Sequence, residues 1–173
     1  MTFPAQRLNP SLPICEVESW QDLITATQCT AGYTTAGIID VRNARALTFF
    51  IDADAAAAND QLAIVVGVSN AETQPAAGDD SWFVPTVTDG AVTIGAGAGA
   101  VATGRDWTLL PAKWGQVLLN PGEYRFPAFG GASEEGRWAP AFDVSRYRWV
   151  IVDYADFGGA TRCTVAIKYS RSI

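Results

Sequence analysis

Short apolar runs separated by turn residues fill the chain from residue 14 onward. Runs such as Ala46–Asp52 and Gln61–Ser69 have the length of strands, and dipeptides such as Asp89-Gly90 and Pro121-Gly122 supply tight turns. No window of about 12 or more residues keeps the 3.6-residue apolar period of a helix. This pattern predicts an all-β protein, an antiparallel β-sandwich with the layout of a jelly roll.

The predicted strands form one domain, residues 14–173. They are Ile14–Trp20, Ile24–Thr30, Thr34–Ile39, Ala46–Asp52, Gln61–Ser69, Ser81–Thr88, Ala91–Ile94, Arg105–Leu110, Gly115–Leu119, Glu123–Ala128, Gly136–Phe142, Arg148–Asp153 and Arg162–Ser170. The alanine run between Asp54 and Asp60 is too short to form a helix alone.

Residues 1–13 differ from the rest of the chain because they contain three prolines. Proline at this density prevents a helix and disfavours a central strand, so we predict an extended N-terminal arm. Phe3, Leu8 and Leu12 are costly to leave in water, and with Arg7 they are candidate interface residues on a neighbouring molecule. A frayed terminus is the alternative.

An internal repeat relates two parts of the chain. A shift of 103 residues lays Asp40–Ser69 over Asp143–Ser172 without a gap and matches Asp-Val, a following Arg, and residues in a later strand. Each copy reads as a strand, an Asp-, Ala- and Gly-rich connection, and a second strand. We interpret the copies as two similar long hairpins in comparable places of the sandwich.

The chain contains no histidine and three cysteines, Cys15, Cys29 and Cys163. The missing histidine excludes Ser/His/Asp and Cys/His nucleophilic sites and His-ligated zinc. The cysteines are odd in number and have no CxxC spacing, so we interpret them as small buried apolar residues. We expect no catalytic residues, no metal and no cofactor, and a protein that is not an enzyme.

The net charge is −6 with a pI near 4.5, which argues against nucleic acid or an anionic membrane surface as the main partner. No apolar run reaches the roughly 18 residues that span a bilayer. The first 20 residues lack the layout of a signal peptide, so we expect synthesis and assembly in a cytoplasm.

Positive charge is concentrated at the carboxyl end: residues 137–173 carry six cationic and three acidic side chains, whereas residues 1–136 carry six and fifteen. Arg146 and Arg148, with Arg162 and Arg171, are candidates to pair with acidic groups of a neighbour. The alternative is that these arginines are solvated side chains on a strand edge, where their charge prevents aggregation.

A glycine-rich segment and several carboxylates are candidate binding or catalytic sites. Gly95 to Ala100 has the letters GxGxxA, but no helix can follow it, so we interpret it as a loop and not as a nucleotide site. Acidic residues that could bind calcium lack the EF-hand order, and solvated loops are the simpler interpretation. They are Asp52, Asp54, Asp60, Asp79 and Asp80. A glycosidase pair could come from Glu134 and Glu135, or from Asp153 and Asp156.

Aromatic residues are abundant, and two interpretations compete for them. Most rings lie in apolar strands or beside Pro and Gly at strand ends, which predicts core packing. A sugar-binding module would instead expose rings on one sheet face, with Trp107 and Trp114 as candidates.

Four segments of the sequence carry a resemblance to known proteins: Thr35–Asp54, Gln61–Val66, Asp79–Gly90 and Thr164–Ser170. They resemble small structural proteins of tailed bacteriophages, and the resemblance covers about two thirds of the chain. It implies a virion component such as a capsid cement or decoration protein, located on the capsid surface. Its partners would be the major capsid protein and copies of itself, as a dimer or trimer. A tail or head-to-tail connector protein and a carbohydrate-binding module are the alternatives.

Overall fold

The computed structural model of the protein describes residues 18–84, 108–109, 118–158 and 161–173. These residues form strands and connections, without a helix. The strands are β1 (Gln21–Gln28), β2 (Thr34–Asp40), β3 (Ala46–Asp54), β4 (Leu62–Ser69), β5 (Thr108–Leu109), β6 (Glu123–Arg125), β7 (Glu135–Trp138), β8 (Ala141–Asp143), β9 (Trp149–Asp156) and β10 (Thr164–Ser172). The all-β prediction is therefore confirmed.

Two sheets pack face to face, as predicted for a β-sandwich. The first has the order β1-β10-β3-β7, with β8 also pairing with β3, and the second has the order β2-β9-β4-β6-β5. Neighbouring strands run antiparallel except for the short β5–β6 pair, which is parallel. The main core lies between the sheets and includes Leu47, Phe49, Ile64, Val66 and Val152.

The burial of the central strands follows their sequences. Strands β4 and β9 are buried along their whole length. The apolar run of β4 predicts this burial, whereas β9 also buries the carboxylates of Asp153 and Asp156. One face of each contacts the main core, and the other contacts a second cluster that includes Tyr33, Trp82 and Trp149. Strand β3 instead alternates, with Phe49 and Ile51 buried and Phe50 exposed, because only one of its faces is covered.

Several predicted strand boundaries were wrong. The predicted strand Gly136–Phe142 is two strands, β7 and β8, because Pro140 has no N–H for the ladder and offers only its carbonyl, which accepts the N–H of Phe49 at 2.9 Å. Residues 18–20 precede β1, and in the predicted strands Ser81–Thr88 and Gly115–Leu119 only Phe83 and Leu119 form bridges among the described residues.

Other predictions concern residues that the structure does not describe. The predicted arm, residues 1–13, and the predicted strand Ala91–Ile94 lie outside the described ranges. The glycine-rich segment 95–100 and the tryptophans at 107 and 114 do so as well.

The prediction of two hairpins was wrong, although the two repeated segments are matched in structure. β3 pairs with β10 in the first sheet, and β4 pairs with β9 in the second. Within each repeat the chain therefore changes sheets, from the first to the second between β3 and β4, and from the second to the first between β9 and β10. The spacing in the sequence suits a hairpin, but in the structure each strand of one repeat pairs with a strand of the other repeat.

The registers of the two strand pairs are equivalent. Ile51 lies opposite Ile167. The positions displaced by 103 residues from these two, Tyr154 and Ile64, also lie opposite each other. The two segments thus contact each other as the subunits of a twofold dimer do, with residue i on j and j on i.

Candidate functional site

Arg146 and Arg148, two of the predicted interface residues, line one surface hollow of about 650 Å³. The hollow lies where the turn between β2 and β3 meets the turn between β8 and β9. Its lining consists of Asp40, Arg42, Asn43, Asn70, Ser145, Arg146, Tyr147, Arg148 and Arg171. We call this feature the arginine hollow, since four of its lining residues are arginines.

Equivalent Asp residues shape both turns of the arginine hollow. Oδ1 of Asp40 accepts the backbone N–H of Arg42 at 3.0 Å. Oδ1 of Asp143 accepts the backbone N–H of Ser145 at 3.0 Å and its hydroxyl at 2.6 Å. A carboxylate that binds the N–H two residues ahead closes a tight turn without help from a sheet. The repeated Asp-Val phrase in the sequence thus marks the two rims of the hollow.

The pKa values of both turn carboxylates are lowered. The side-chain hydrogen bond from Arg42 holds the pKa of Asp40 below its ordinary value of 3.8. The hydroxyl and N–H of Ser145 do the same for Asp143, with smaller contributions from the charges of Arg146 and Arg45. Both carboxylates are therefore ionised at neutral pH, so the turn at each rim keeps its closing hydrogen bonds.

Two of the four arginines have partners within the protein. Arg42 binds the carboxylate of Asp40 through its guanidinium, which also lies 5.2 Å from the ring centre of Trp149. Nε of Arg171 donates to Oε2 of Glu18 at 2.6 Å, and its Nη1 donates to the carbonyl of Asp40 at 2.7 Å. These contacts hold the two side chains against the walls of the hollow.

Arg146 and Arg148 are exposed, and within the described part of the chain neither forms an ion pair. Asp40, the lining carboxylate, is already bound to Arg42. The hollow therefore presents a net positive surface on a protein whose total charge is −6. A guanidinium binds a carboxylate or phosphate in a fork of two hydrogen bonds, so an anionic group of a partner fits this site.

The remaining predicted interface residues cannot be placed beside this hollow. Phe3, Arg7, Leu8 and Leu12 lie outside the described residues. Arg162, a further cation of the carboxyl end, does not line the hollow, whereas Arg171 does.

The solvated-loop interpretation was wrong for three of the acidic residues, since Asp52 and Asp54 lie in β3 and Asp60 is buried. Asp60 is fully buried, and its Oδ2 accepts the N–H groups of Ala56 and Ala57, each at 2.8 Å. It is buried because it closes the alanine-rich turn from inside. Asp79 closes a loop at the surface by accepting the N–H of Ala76 at 2.7 Å. In the ranges described here, no group of three or more Cys, Asp or Glu side chains could hold a metal ion.

The carboxylates of the two candidate glycosidase pairs are bound to nearby groups or buried. Oε2 of Glu134 accepts the N–H of Gly130 at 2.5 Å and of Gly131 at 3.2 Å, and Glu135 contacts Arg137 at 3.3 Å. Asp153 and Asp156 are both buried, and Asp156 accepts the backbone N–H groups of Gln61, Gly158 and Cys163. Both glutamates act locally, one in a turn and one in an exposed ion pair.

Core packing is confirmed for most of the described aromatic residues. Buried rings include Trp82, Tyr124, Phe126, Phe129, Phe142, Trp149 and Tyr154. The exposed rings in the described ranges are Trp20, Phe50 and Phe83, and the first two contact each other with ring centres 6.2 Å apart at an interplanar angle of 68°. Rings at this angle do not form the flat platform on which a sugar ring stacks.

Comparison with known proteins gives no family. No protein-family model, curated protein or solved structure matches the chain. A search for membrane spans finds, in the described residues, no helix long and apolar enough to cross a bilayer.

The sequence indicated only part of the arginine hollow. The excess of cationic residues at the carboxyl end pointed to Arg146 and Arg148, but Asp40, Arg42 and Asn70 come from the first half of the chain. The repeat was the signal that could have placed them, because equivalent Asp-Val turns in two equivalent strand units meet at the same end of the sandwich.

Proposed function

We propose that the protein is a non-enzymatic virion structural protein, a capsid cement or decoration protein that binds across copies of the major capsid protein. The observation that carries the proposal is the arginine hollow, with Arg146 and Arg148 exposed and without an ion pair in the described residues. In this proposal, acidic side chains of the shell enter the hollow. The protein is assembled in the host cytoplasm and remains on the capsid surface.

The strand order supports a jelly roll, the arrangement proposed for this sandwich. One sheet contains β1, β10, β3 and β7, and the other contains β2, β9, β4 and β6, so that these eight strands, taken in chain order, alternate between the sheets except at β4 and β6, which are neighbours in the same sheet. Jelly rolls of eight strands are common in viral capsid proteins and also in lectins. The order is therefore compatible with a virion protein but does not select one by itself.

The proposed mechanism is physical. A lattice repeats the same acidic groups many times, and each contact raises the effective concentration for the next, so single weak contacts suffice. Residues 1–13 add a second contact in this proposal, with Phe3, Leu8 and Leu12 in an apolar groove of a neighbour. Such burial contributes a few kcal/mol, at about 25 cal/mol per Å², before the cost of ordering the segment.

Shell binding by charge-reversal variants tests the proposal. We expect Arg146→Glu combined with Arg148→Glu to reduce binding to shells of the source phage by about tenfold or more, since hydrogen bonds to charged groups contribute about 1.5–3 kcal/mol each. Arg137→Glu combined with Lys168→Glu is the matched control, because it makes the same charge change on exposed residues outside the hollow. Co-sedimentation gives the readout, and equal binding by both double variants contradicts the proposal.

A further inference from the structure

Two cysteines far apart in the sequence meet inside the sandwich. The sulfur atoms of Cys29 and Cys163 are 3.4 Å apart, and 134 residues separate the two positions. Both side chains are buried, and both are free thiols. The distance is a contact between thiols and not a bond, so the structure shows the reduced form.

The backbone places these two residues opposite each other. Cys29 directly follows β1, Cys163 directly precedes β10, and the N–H of Cys29 donates to the carbonyl of Cys163 at 2.9 Å. The pairing continues that of Gln28 with Thr164. Opposed residues in antiparallel strands have Cα atoms about 4.5–5.5 Å apart, which lies within the range of about 4.4–6.8 Å that disulfides span. Rotation of the two side chains is then enough to bring the sulfur atoms to bonding distance.

We propose that Cys29 and Cys163 form a reversible disulfide that fastens β1 to β10 when the protein meets an oxidising thiol–disulfide pool. The oxidant is a small-molecule disulfide. One protein thiolate attacks it, which forms a mixed disulfide and releases one small thiol. The second protein thiolate then attacks the mixed disulfide and releases the other. The protein loses two electrons and two protons, and the small disulfide gains them.

The folded structure makes this reaction slow until β1 opens. Contact with Cys29, burial, and the charge of Asp156 raise the pKa of the Cys163 thiol, so the reactive thiolate is scarce while the strands are closed. β1 is the edge strand of its sheet, most of its residues are exposed, and its pairing with β10 has two register shifts. Opening of this strand is the step that exposes the pair.

The proposed bond closes a loop that contains most of the chain. In the chain-entropy account, a cross-link stabilises more when its loop is longer, because it removes more freedom from the unfolded state. For a loop of this length we expect the melting temperature to rise by roughly 10 °C. The bond also keeps the edge strand in place.

The test uses the Cys15→Ser variant, which leaves this pair as the remaining thiols of the chain. The variant is incubated with oxidised glutathione at increasing ratios of oxidised to reduced form and then analysed by mass spectrometry, thiol titration and thermal unfolding. We expect a single chain, not joined to another by a disulfide, whose mass is lower by two hydrogen atoms and which has no titratable thiol. Its melting temperature should be roughly 10 °C higher than that of the reduced chain. Addition of dithiothreitol should restore the original melting temperature.

The control is the same chain with Cys29→Ala added, which retains a single thiol and should show no upward shift under the same oxidant. Two results overturn the proposal. One is that the folded Cys15→Ser chain keeps both thiols under conditions that oxidise it in denaturant. The other is that the bond forms but leaves the melting temperature unchanged or lowers it.

Discussion

Val41 and Val144 hold equivalent places on the two sides of the sandwich. The N–H of Val41 donates to the carbonyl of Arg148 at 2.9 Å, and the N–H of Val144 donates to the carbonyl of Arg45 at 3.1 Å. A shift of 103 residues converts each of these hydrogen bonds into the other. Both valine side chains are completely buried. The two repeats are thus joined reciprocally at the turns that form the arginine hollow.

This equivalence predicts that truncation of either valine has a similar cost. Val41→Ala and Val144→Ala each remove two buried carbon atoms, so each should lower the free energy of unfolding by about 2 kcal/mol. Urea unfolding provides the measurement. Leu118→Ala, at a side chain that is 43 % exposed, serves as the control and should cost less than either. A large cost at one valine with almost none at the other would contradict the equivalence.

The buried carboxylate of Asp156 should make the fold less stable in acid. Burial raises its pKa, but the backbone N–H groups of Cys163, Gly158 and Gln61, at 2.7, 2.7 and 2.9 Å, together lower it by more, so that it lies below 3.8. A carboxylate whose folded pKa is depressed stabilises the protein above its unfolded pKa, and this stabilisation is lost as pH falls through the folded pKa. The free energy of unfolding should therefore decrease below about pH 4.

Replacement of Asp156 tests this origin of acid sensitivity. Asp156→Asn places an amide N–H group against backbone donors, and we expect a loss of about 2–4 kcal/mol at pH 7 and a weaker dependence on pH in the acid range. Asp22→Asn is the control, because Asp22 forms an exposed ion pair with Lys168 at 3.4 Å, which contributes little. Urea unfolding from pH 2 to 7 distinguishes the two variants. An unchanged pH profile for Asp156→Asn would show that other carboxylates cause the effect.

Gly158 is a position at which the fold leaves no room for a side chain. A Cβ atom at this position would lie 2.2 Å from Cα and 2.7 Å from the backbone N of Asp60, and backbone atoms cannot turn aside as a flexible side chain can. Gly158→Ala should cost about 3 kcal/mol or more. Gly78→Ala is the matched control, since a Cβ there meets no atom within 4 Å. Thermal unfolding should show a large decrease for the first variant and almost none for the second.

Replacement of the exposed arginines of the hollow should weaken shell binding without lowering the stability of the fold. Because Arg146 and Arg148 are exposed and lack ion pairs within the described ranges, their replacement by glutamate should change the free energy of unfolding by no more than about 0.5 kcal/mol. Shell binding by the unaltered protein should also weaken as salt increases, since salt screens exposed charges. Binding that does not depend on salt would indicate an apolar interface instead.

The sequence predicted the fold class because β4 and the first half of β9 are apolar runs and β3 alternates. It could not predict which strands pair, since β3 and β4 are close in sequence and yet lie in different sheets. The same limit applies to the cysteines. Their burial was predicted and is confirmed for Cys29 and Cys163, but their contact depends on pairing between the first and last strands. Likewise, Asp60 appeared to belong to a polar loop, and only the folded turn shows why it is buried.

Cryo-electron microscopy of the source particle tests the proposed function most directly. The account predicts density for this sandwich at regular positions on the outer capsid lattice, with the arginine hollow against acidic side chains of the major capsid protein. Density only at a tail vertex, or particles that lack the chain, would contradict it.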